Sequence, residues 1–386
     1  MSVVVIGAGP SGVAMALSLA DRGLQPVLIE EAEHVGAAWR RRYDRLRLNT
    51  AKHFSHLPGR AYPKNTPVFP TRDDVVAHLE HYADDDRIDL RLATSVQRID
   101  RRAAAWCVQT TAGPIEATHV VVATGYERVP TIPAWPGACS FTGELLHSSA
   151  YRNPAFCQGK RVLVVGAGSS AMEIAYDVAT AGATSTWLSV RTVPNIMLRT
   201  LPGGFPSDFI ATAMHHMPPR IADALAEVAR RLSIGDLSAV GLPRPSEGVF
   251  TRGHRLGRAP AIIDTATLDA IRNRTITVVP VIESFERSQV RFADGRCVQP
   301  DVIVCATGYR RGLESLVGHL DVLDERGVPL DDGARLADGG LWFLGFQSRP
   351  GLIGSVAKRS RGIAATIADD LATSRRETPI PEPNRV

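Results

Sequence analysis

Two short β-branched runs, Val3-Val4-Val5-Ile6 and Val162-Leu163-Val164-Val165, read as fully buried strands, and each leads through a glycine turn into an alanine-rich stretch with helical spacing. Val27-Leu28-Ile29 reads as the next parallel strand of the first unit, and Thr186-Trp187-Leu188-Ser189-Val190 as its counterpart in the second. Strand, helix and strand in that order predict an α/β fold with two dinucleotide-binding (Rossmann-like) units. Thr71 reads as a helix N-cap, with Asp73 and Asp74 in the first turn and Val75, Val76, Leu79 and Tyr82 on one face. A meander over 89–122 ends in Val120-Val121-Val122, followed by Ala123-Thr124-Gly125-Tyr126, and Ala306-Thr307-Gly308-Tyr309 repeats that segment. Leu341 to Phe346 reads as a strand returning to the first unit.

The expected organisation is therefore an insertion. Residues 1–155 open the first unit, 156–298 form the second, and 299–373 return to the first. The Arg-, Glu- and Pro-rich tail, 374–386, is expected to be disordered. A Gly/Pro-punctuated segment near 202–242 interrupts the second unit and holds one amphipathic helix, with Ile221, Leu225, Val228 and Leu232 at helical spacing. Three readings of that stripe stand: it lines a substrate entrance, it touches a membrane surface, or, as the commoner outcome, it packs on the body.

Composition narrows the picture a little. A chain of 386 residues has length for two or three domains. Its formal charge of +4 could suggest nucleic acid, but acids and bases are interspersed and no aromatic-studded basic tract appears, so no nucleic-acid partner is expected. The five cysteines include no C-x-x-C, which points away from a disulfide framework, a zinc site or a redox pair, so no metal is expected. The apolar N-terminus lacks a basic n-region, and no apolar run approaches the roughly 20 residues that span a bilayer. A cytoplasmic protein without an integral membrane segment is expected, as monomer or homodimer.

The chemistry lies in the glycines. Gly7-x-Gly9-x-x-Gly12 and Gly166-x-Gly168-x-x-Ala171 match the turn in which one glycine allows a tight bend and the next lets backbone approach a pyrophosphate. Ser11, Ser169 and Ser170 lie within these turns. Glu30, about 20 residues beyond the first turn, suits a ribose 2′-hydroxyl and repels a 2′-phosphate, so this unit is expected to bind FAD or NAD. Arg191 stands where the acid would be in the second unit, which points to NADPH through a 2′-phosphate; a solvated strand-end cation is the other reading.

Between the turns stands Phe141-x-Gly143-x-x-x-His147-x-x-x-Tyr151. Together with Trp39 to Pro58, Phe69-Pro70-Thr71, the paired Ala-Thr-Gly-Tyr segments and Gly351 to Gly354, it resembles the class B flavin-dependent monooxygenases, closest to the flavin-containing monooxygenases and their YUCCA-like members. The resemblance covers nearly the whole chain. It implies FAD in the first unit and NADPH in the second, a C4a-(hydro)peroxyflavin formed with O2, and oxygen transfer to a small organic substrate. That transfer would be N- or S-oxygenation, or oxidative decarboxylation of a 2-oxo acid.

It further implies a catalytic amide at Asn49, where YUCCA-like members commonly carry histidine; a loop asparagine satisfying its own backbone is the plain alternative. Trp39 and Arg40 match the stretch covering the flavin, although Trp39 could equally be packed core. Thr50, Thr124, Gly125 and Leu352 complete the implied cofactor contacts, and the helix following Gly351 to Ser355 would point its N-terminus at the flavin ring. The fingerprint residues Phe141, Gly143, His147 and Tyr151 would support NADP binding and domain coupling, with His147 not the chemical base. Arg199 and Arg255 are candidates to recognise a substrate carboxylate. A Baeyer–Villiger enzyme is disfavoured by Tyr151, where that branch prefers tryptophan, and a disulfide reductase by the missing C-x-x-C. An FAD/NAD(P)H reductase with another acceptor is the remaining alternative.

Overall fold

The structure is a computed structural model and describes residues 2–103, 105–257, 259–332, 339–346 and 352–377. Strand β1 (Val3–Ile6) enters the first turn and helix α1 (Pro10–Ala20), and β2 (Val27–Ile29) follows. A long segment with two short helical turns, Ala37–Arg40 and Lys52–Phe54, leads to α2 (Arg72–Ala83), whose Thr71 and Asp74 form a capping box, and then to β3 (Asp89–Arg91). An antiparallel three-stranded meander over 96–117 precedes β4 (His119–Val122). The chain then crosses to a second body. Its elements are β5 (Glu144–His147), β6 (Arg161–Val165), α3 (Ser169–Thr180), β7 (Ser185–Ser189) and β8 (Ile196–Leu198). Helices α4 (Ser207–His215), α5 (Pro219–Ser233) and α6 (Val249–Leu256) come next, followed by β9 (Ala261–Ile263), α7 (Thr265–Arg272), β10 (Thr277–Val279) and β11 (Val302–Cys305). Finally β12 (Leu341–Phe343) and α8 (Leu352–Glu377) return.

Two five-stranded parallel sheets result, in the orders β12-β4-β1-β2-β3 and β10-β7-β6-β11-β5. The α/β class and the two Rossmann-like units expected from the hydrophobic runs are thus both present. Their strands are apolar on both faces because helices cover one side of each sheet and an antiparallel three-stranded sheet, 96–117 in the first unit and 282–298 in the second, packs on the other. The Gly12–Ala20 stretch of α1 is buried throughout, and α8 lies against it, with the Ser18 and Ser360 hydroxyls 2.9 Å apart. Sheet membership departs from the sequence bounds at two strands. β5 and β11, placed by the sequence in the segments flanking the second unit, pair with each other inside the second sheet, Cys305 opposite His147.

The 202–242 segment holds two helices, α4 and α5, rather than one. Its stripe does not pack on the body: Ile221, Leu225, Val228 and Leu232 are 49–85% exposed. The tail is helical as far as Glu377, so the expectation of disorder from 374 fails for 374–377, and 378–386 lie outside the described residues. Among the described residues no helix is long and apolar enough to cross a membrane.

Candidate active site

Both turns are built the same way at the C-terminal edges of their sheets. Gly7 adopts φ +99° and donates its N–H to the Ile29 carbonyl at 2.7 Å; Gly166 adopts φ +141° and donates to Ser189 at 3.0 Å. A Cβ on Gly7 would stand 2.9 Å from the Ala123 oxygen, and one on Gly166 would stand 2.4 Å from the Ala306 oxygen. The paired Ala-Thr-Gly segments are therefore backstops for the two turns. Beside the first, the Thr124 hydroxyl is buried with no partner among the described residues, and Gly125 takes φ +80°.

Gly9 and Gly168 are the N-caps of α1 and α3, neither helix has a side-chain cap, and a Cβ at either glycine would meet nothing within 4 Å. Orphan N–H groups at a helix start with open space before them fit a pyrophosphate. Ser11 packs its hydroxyl against Gly345, where a Cβ would lie 2.2 Å away. The Glu30 carboxylate, 9% exposed, accepts the Ala8 N–H at 2.7 Å and the Ala32 N–H at 3.1 Å. Arg191 is exposed and paired with no acid among the described residues. These features fit FAD at the first turn and NADPH at the second.

The remaining implied cofactor contacts are more dispersed. Trp39 is half-buried against the first core, and Arg40 pairs with Glu80 of α2. The Thr50 hydroxyl lies 2.6 Å from that of Ser55. Leu352 is the first residue of α8, its side chain outside the described ones. Two residues on, Gly354 sits where a Cβ would be 2.5 Å from the Phe54 oxygen, which seats the start of this helix on the long segment.

Asn49 is where the units meet. Leu48 belongs to the first core, yet the Asn49 amide nitrogen lies 3.5 Å from Ser169 Oγ at the start of α3. Ser169 Oγ in turn accepts the Ile262 N–H at 2.9 Å. Asn49 Oδ1 accepts from Arg199 Nη2 at 3.2 Å. Arg199 is 4% exposed, bonds Glu173 through the same nitrogen, and meets both Asp264 oxygens at 3.0 and 2.8 Å. Glu173 accepts the Tyr43 hydroxyl at 2.5 Å, and Ser170 also hydrogen-bonds that phenol. Burial pushes the Glu173 carboxyl up against the pull of Arg199, and burial beside Glu173 holds the Tyr43 phenol well above its ordinary range.

Glu173, Asp264 and Tyr43 carry no sequence motif, and the sequence reading missed them. A carboxylate at the third position after a turn residue that faces the cleft is the only hint α3 offers. The two candidate carboxylate-binding arginines are both corrected: Arg199 is held by two acids, and Arg255 pairs with Glu247 on the surface at 2.6 Å.

The fingerprint organises the second sheet. Gly143 has room only for hydrogen, since a Cβ would stand 2.5 Å from the Phe141 ring and 2.8 Å from the Asp301 oxygen. His147 ends β5, its Nε2 3.1 Å from the Gly308 oxygen and its ring 4.8 Å from Tyr309. Burial lowers its pKa, which keeps the imidazole neutral. Tyr151 is fully buried and donates to Asp177 at 2.7 Å.

Residues 4–196 match the profile of the pyridine nucleotide-disulphide oxidoreductase family. Indole-3-pyruvate monooxygenase YUCCA1 of Oryza sativa subsp. japonica is 34% identical over 97% of this chain and 92% of its own. The probable indole-3-pyruvate monooxygenase YUCCA3 of Arabidopsis thaliana is 32% identical over 97% of this chain and 87% of its own. A flavin-containing monooxygenase from Stenotrophomonas maltophilia superposes with TM-score 0.72 at 25% identity, over 96% of this chain and 98% of that one.

The chain belongs to the class B flavin-dependent monooxygenases.

This monooxygenase uses FAD, NADPH and O2 to oxygenate a small molecule. Cyclohexanone monooxygenase, 18% identical with TM-score 0.71, shares the fold, as does a bacillithiol disulfide reductase from Bacillus cereus at 18% and 0.68. Two buried thiols of this monooxygenase, Cys157 and Cys305, are poor material for thiolate chemistry. All five are free, and burial raises Cys157 to about 11 and Cys305 to about 12.

Proposed function

We propose that the enzyme acts in the cytoplasm on a 2-oxo acid bearing an apolar group, releasing CO2 and the acid one carbon shorter, with Asn49 as the catalytic amide. The reading rests on one observation above the others: Asn49, carried on the first unit, reaches the second turn with its carbonyl already occupied by Arg199. The indole-3-pyruvate specificity of the curated relatives supports the substrate class.

Bound FAD, reduced by NADPH, supplies the oxygen-activating chemistry. The chain binds, orients and shields. Gly7, Gly9, Ser11, Gly12, Thr124 and Gly125 cradle FAD, with the remaining lone pairs of Glu30 for its ribose hydroxyls. Trp39, Arg40, Thr50 and Leu352 stand on the segments that close over it. Gly166, Gly168, Ser169 and Ser170 receive NADPH, and Arg191 pairs with its 2′-phosphate. Because Arg199 holds Asn49 Oδ1, the amide aims its NH2 toward Ser169 at the second turn, where it would offer a neutral donor to groups bound between the units. Phe141, Gly143, His147 and Tyr151 serve by keeping β5 in the second sheet, beside the backstop at Gly308.

Oxygenation of a soft sulfur or nitrogen is the second reading, favoured by the two acids on Arg199, which leave that cation little to offer a substrate carboxylate. The deciding experiment offers the FAD-loaded enzyme indole-3-pyruvate and a thioether in parallel, scoring NADPH oxidation, CO2, sulfoxide and H2O2. CO2 matching the NADPH consumed supports the first reading; sulfoxide without CO2 supports the second. H2O2 alone with both substrates rejects each. In Asn49→Ala, reduction by NADPH should persist while H2O2 release rises, and unchanged coupling would remove Asn49 from the site.

A further inference from the structure

Helix α5 turns its large aliphatic side chains outward, and Ala222 is the one residue it buries. Ile221 is 54% exposed, Leu225 49%, Val228 56% and Leu232 85%, while Ala222 is fully buried. At about 100° per residue the four aliphatic residues share one stripe roughly 60° wide, beside the face that packs. The usual surface helix has the reverse order, and burying such side chains is favourable, so the stripe is made for something outside the monomer.

The apolar surface continues toward the cleft. Phe205, Phe209, Ile210 and Met217 are 37–49% exposed. The Phe209 ring lies 4.7 Å from Phe54, and Asp208 at the start of α4 accepts the Ala51 N–H at 2.6 Å, two positions from Asn49. One side of the stripe carries guanidinium groups. On the helical wheel Arg220 and Arg231 both lie on that side, exposed, Arg231 sharing Glu227. The acids of α5 are engaged: Asp223 accepts the Phe250 and Thr251 N–H groups at the start of α6, and Glu227 is shared by Arg230, Arg231 and Arg244.

We propose that α4 and α5 dock this enzyme on an anionic lipid surface. The apolar set spreads over two helices and the turn joining them, a plane rather than the single seam a partner helix would fill. The guanidinium groups along its one edge complement anionic headgroups, since an arginine stem can lie along apolar surface while its charge reaches the headgroups. Docking this way sets the mouth of the cleft against the acyl boundary, where an apolar substrate concentrates. The proposal does not depend on the decarboxylation reading, and its test involves no turnover.

The test is co-sedimentation of the FAD-loaded enzyme with vesicles of phosphatidylglycerol and phosphatidylcholine in equal parts, against phosphatidylcholine alone, with particle mass measured in parallel. The wild type should bind the anionic vesicles preferentially and release them as salt rises. Leu225→Gln with Leu232→Gln should lose binding at least tenfold. Arg220→Gln and Arg231→Gln, surface changes that leave the fold alone, should each weaken it about fivefold for anionic vesicles only. Unchanged flavin content in each variant reports that folding is intact. Equal recovery with and without anionic vesicles would overturn the proposal. So would a dimeric wild type that the leucine variant turns into a monomer, because a second copy would then cover the stripe.

Discussion

The two dinucleotide units solve one problem with different tolerances. In the first, a Cβ on Gly12 would stand 1.7 Å from the Gly7 oxygen, so α1 lies directly on its turn. In the second, Ala171 occupies the matching position fully buried, its methyl 3.2 Å from where a Gly166 Cβ would be. α3 therefore stands back by about a methyl group. Two positions further on, α1 has the buried Ala14 and α3 has Glu173, which holds Arg199. The first unit is a closed holder, sealed by α8 over α1, whereas the second turns a charged helix face toward the cleft. Packing closes the first turn against its helix, and the second unit keeps polar groups at the junction of the two.

The largest expected effect comes from making the turns alike. Gly12→Ala should destabilise by more than about 4 kcal/mol or yield protein without yellow flavin, since the added methyl has backbone in its way. Ala171→Gly should cost only about 1 kcal/mol in thermal or urea unfolding. Similar losses at the two sites would erase the distinction. Next, Glu173→Ala gives α3 the residue that α1 carries and leaves the Arg199 charge buried beside one fewer acid. About 3–5 kcal/mol of stability should go, with H2O2 release rising as Asn49 loses its fixed orientation. Full stability in that variant would mean the ion pair contributes nothing.

Smaller effects separate the nucleotides. Arg191→Ala should raise KM for NADPH by about tenfold to a hundredfold, as expected for a lost charge-assisted bond, and leave KM for NADH unchanged. Equal change for both would make Arg191 a bystander. The smallest effect concerns acid. His78, stacked 4.0 Å from Tyr62 in the first unit, is held by burial at about 4 against an ordinary 6.5. Below pH 6.5 the unfolded chain takes a proton that the fold refuses, so stability should fall from pH 6.5 down to about 4. His78→Phe should flatten that part of the profile of thermal midpoint against pH; an unaltered slope would assign the acid sensitivity elsewhere.

What could be read from the chain was local. The glycine turns, their strands and the Thr71 cap are stretches of a few residues whose physics is self-contained, and all form as expected. The Arg199 network was not legible, because Tyr43, Glu173 and Asp264 come from distant segments and each alone looks like an ordinary surface polar residue. Strand membership failed for the same reason at β5 and β11: pairing across 150 residues leaves no mark on either partner. The α5 stripe failed differently. Periodicity identifies the side chains that share a face, but it carries no information about which way the face turns.

The return of β12 to the first sheet also has a consequence for how the enzyme is made. A ribosome that has released residues up to Cys305 has supplied every strand of the second sheet, but β4 still lacks its outer neighbour and α1 its cover until Leu341 and α8 emerge. The part synthesised first is thus the last to be completed, and nascent chains must keep the FAD fold open while the NADPH fold closes beside it.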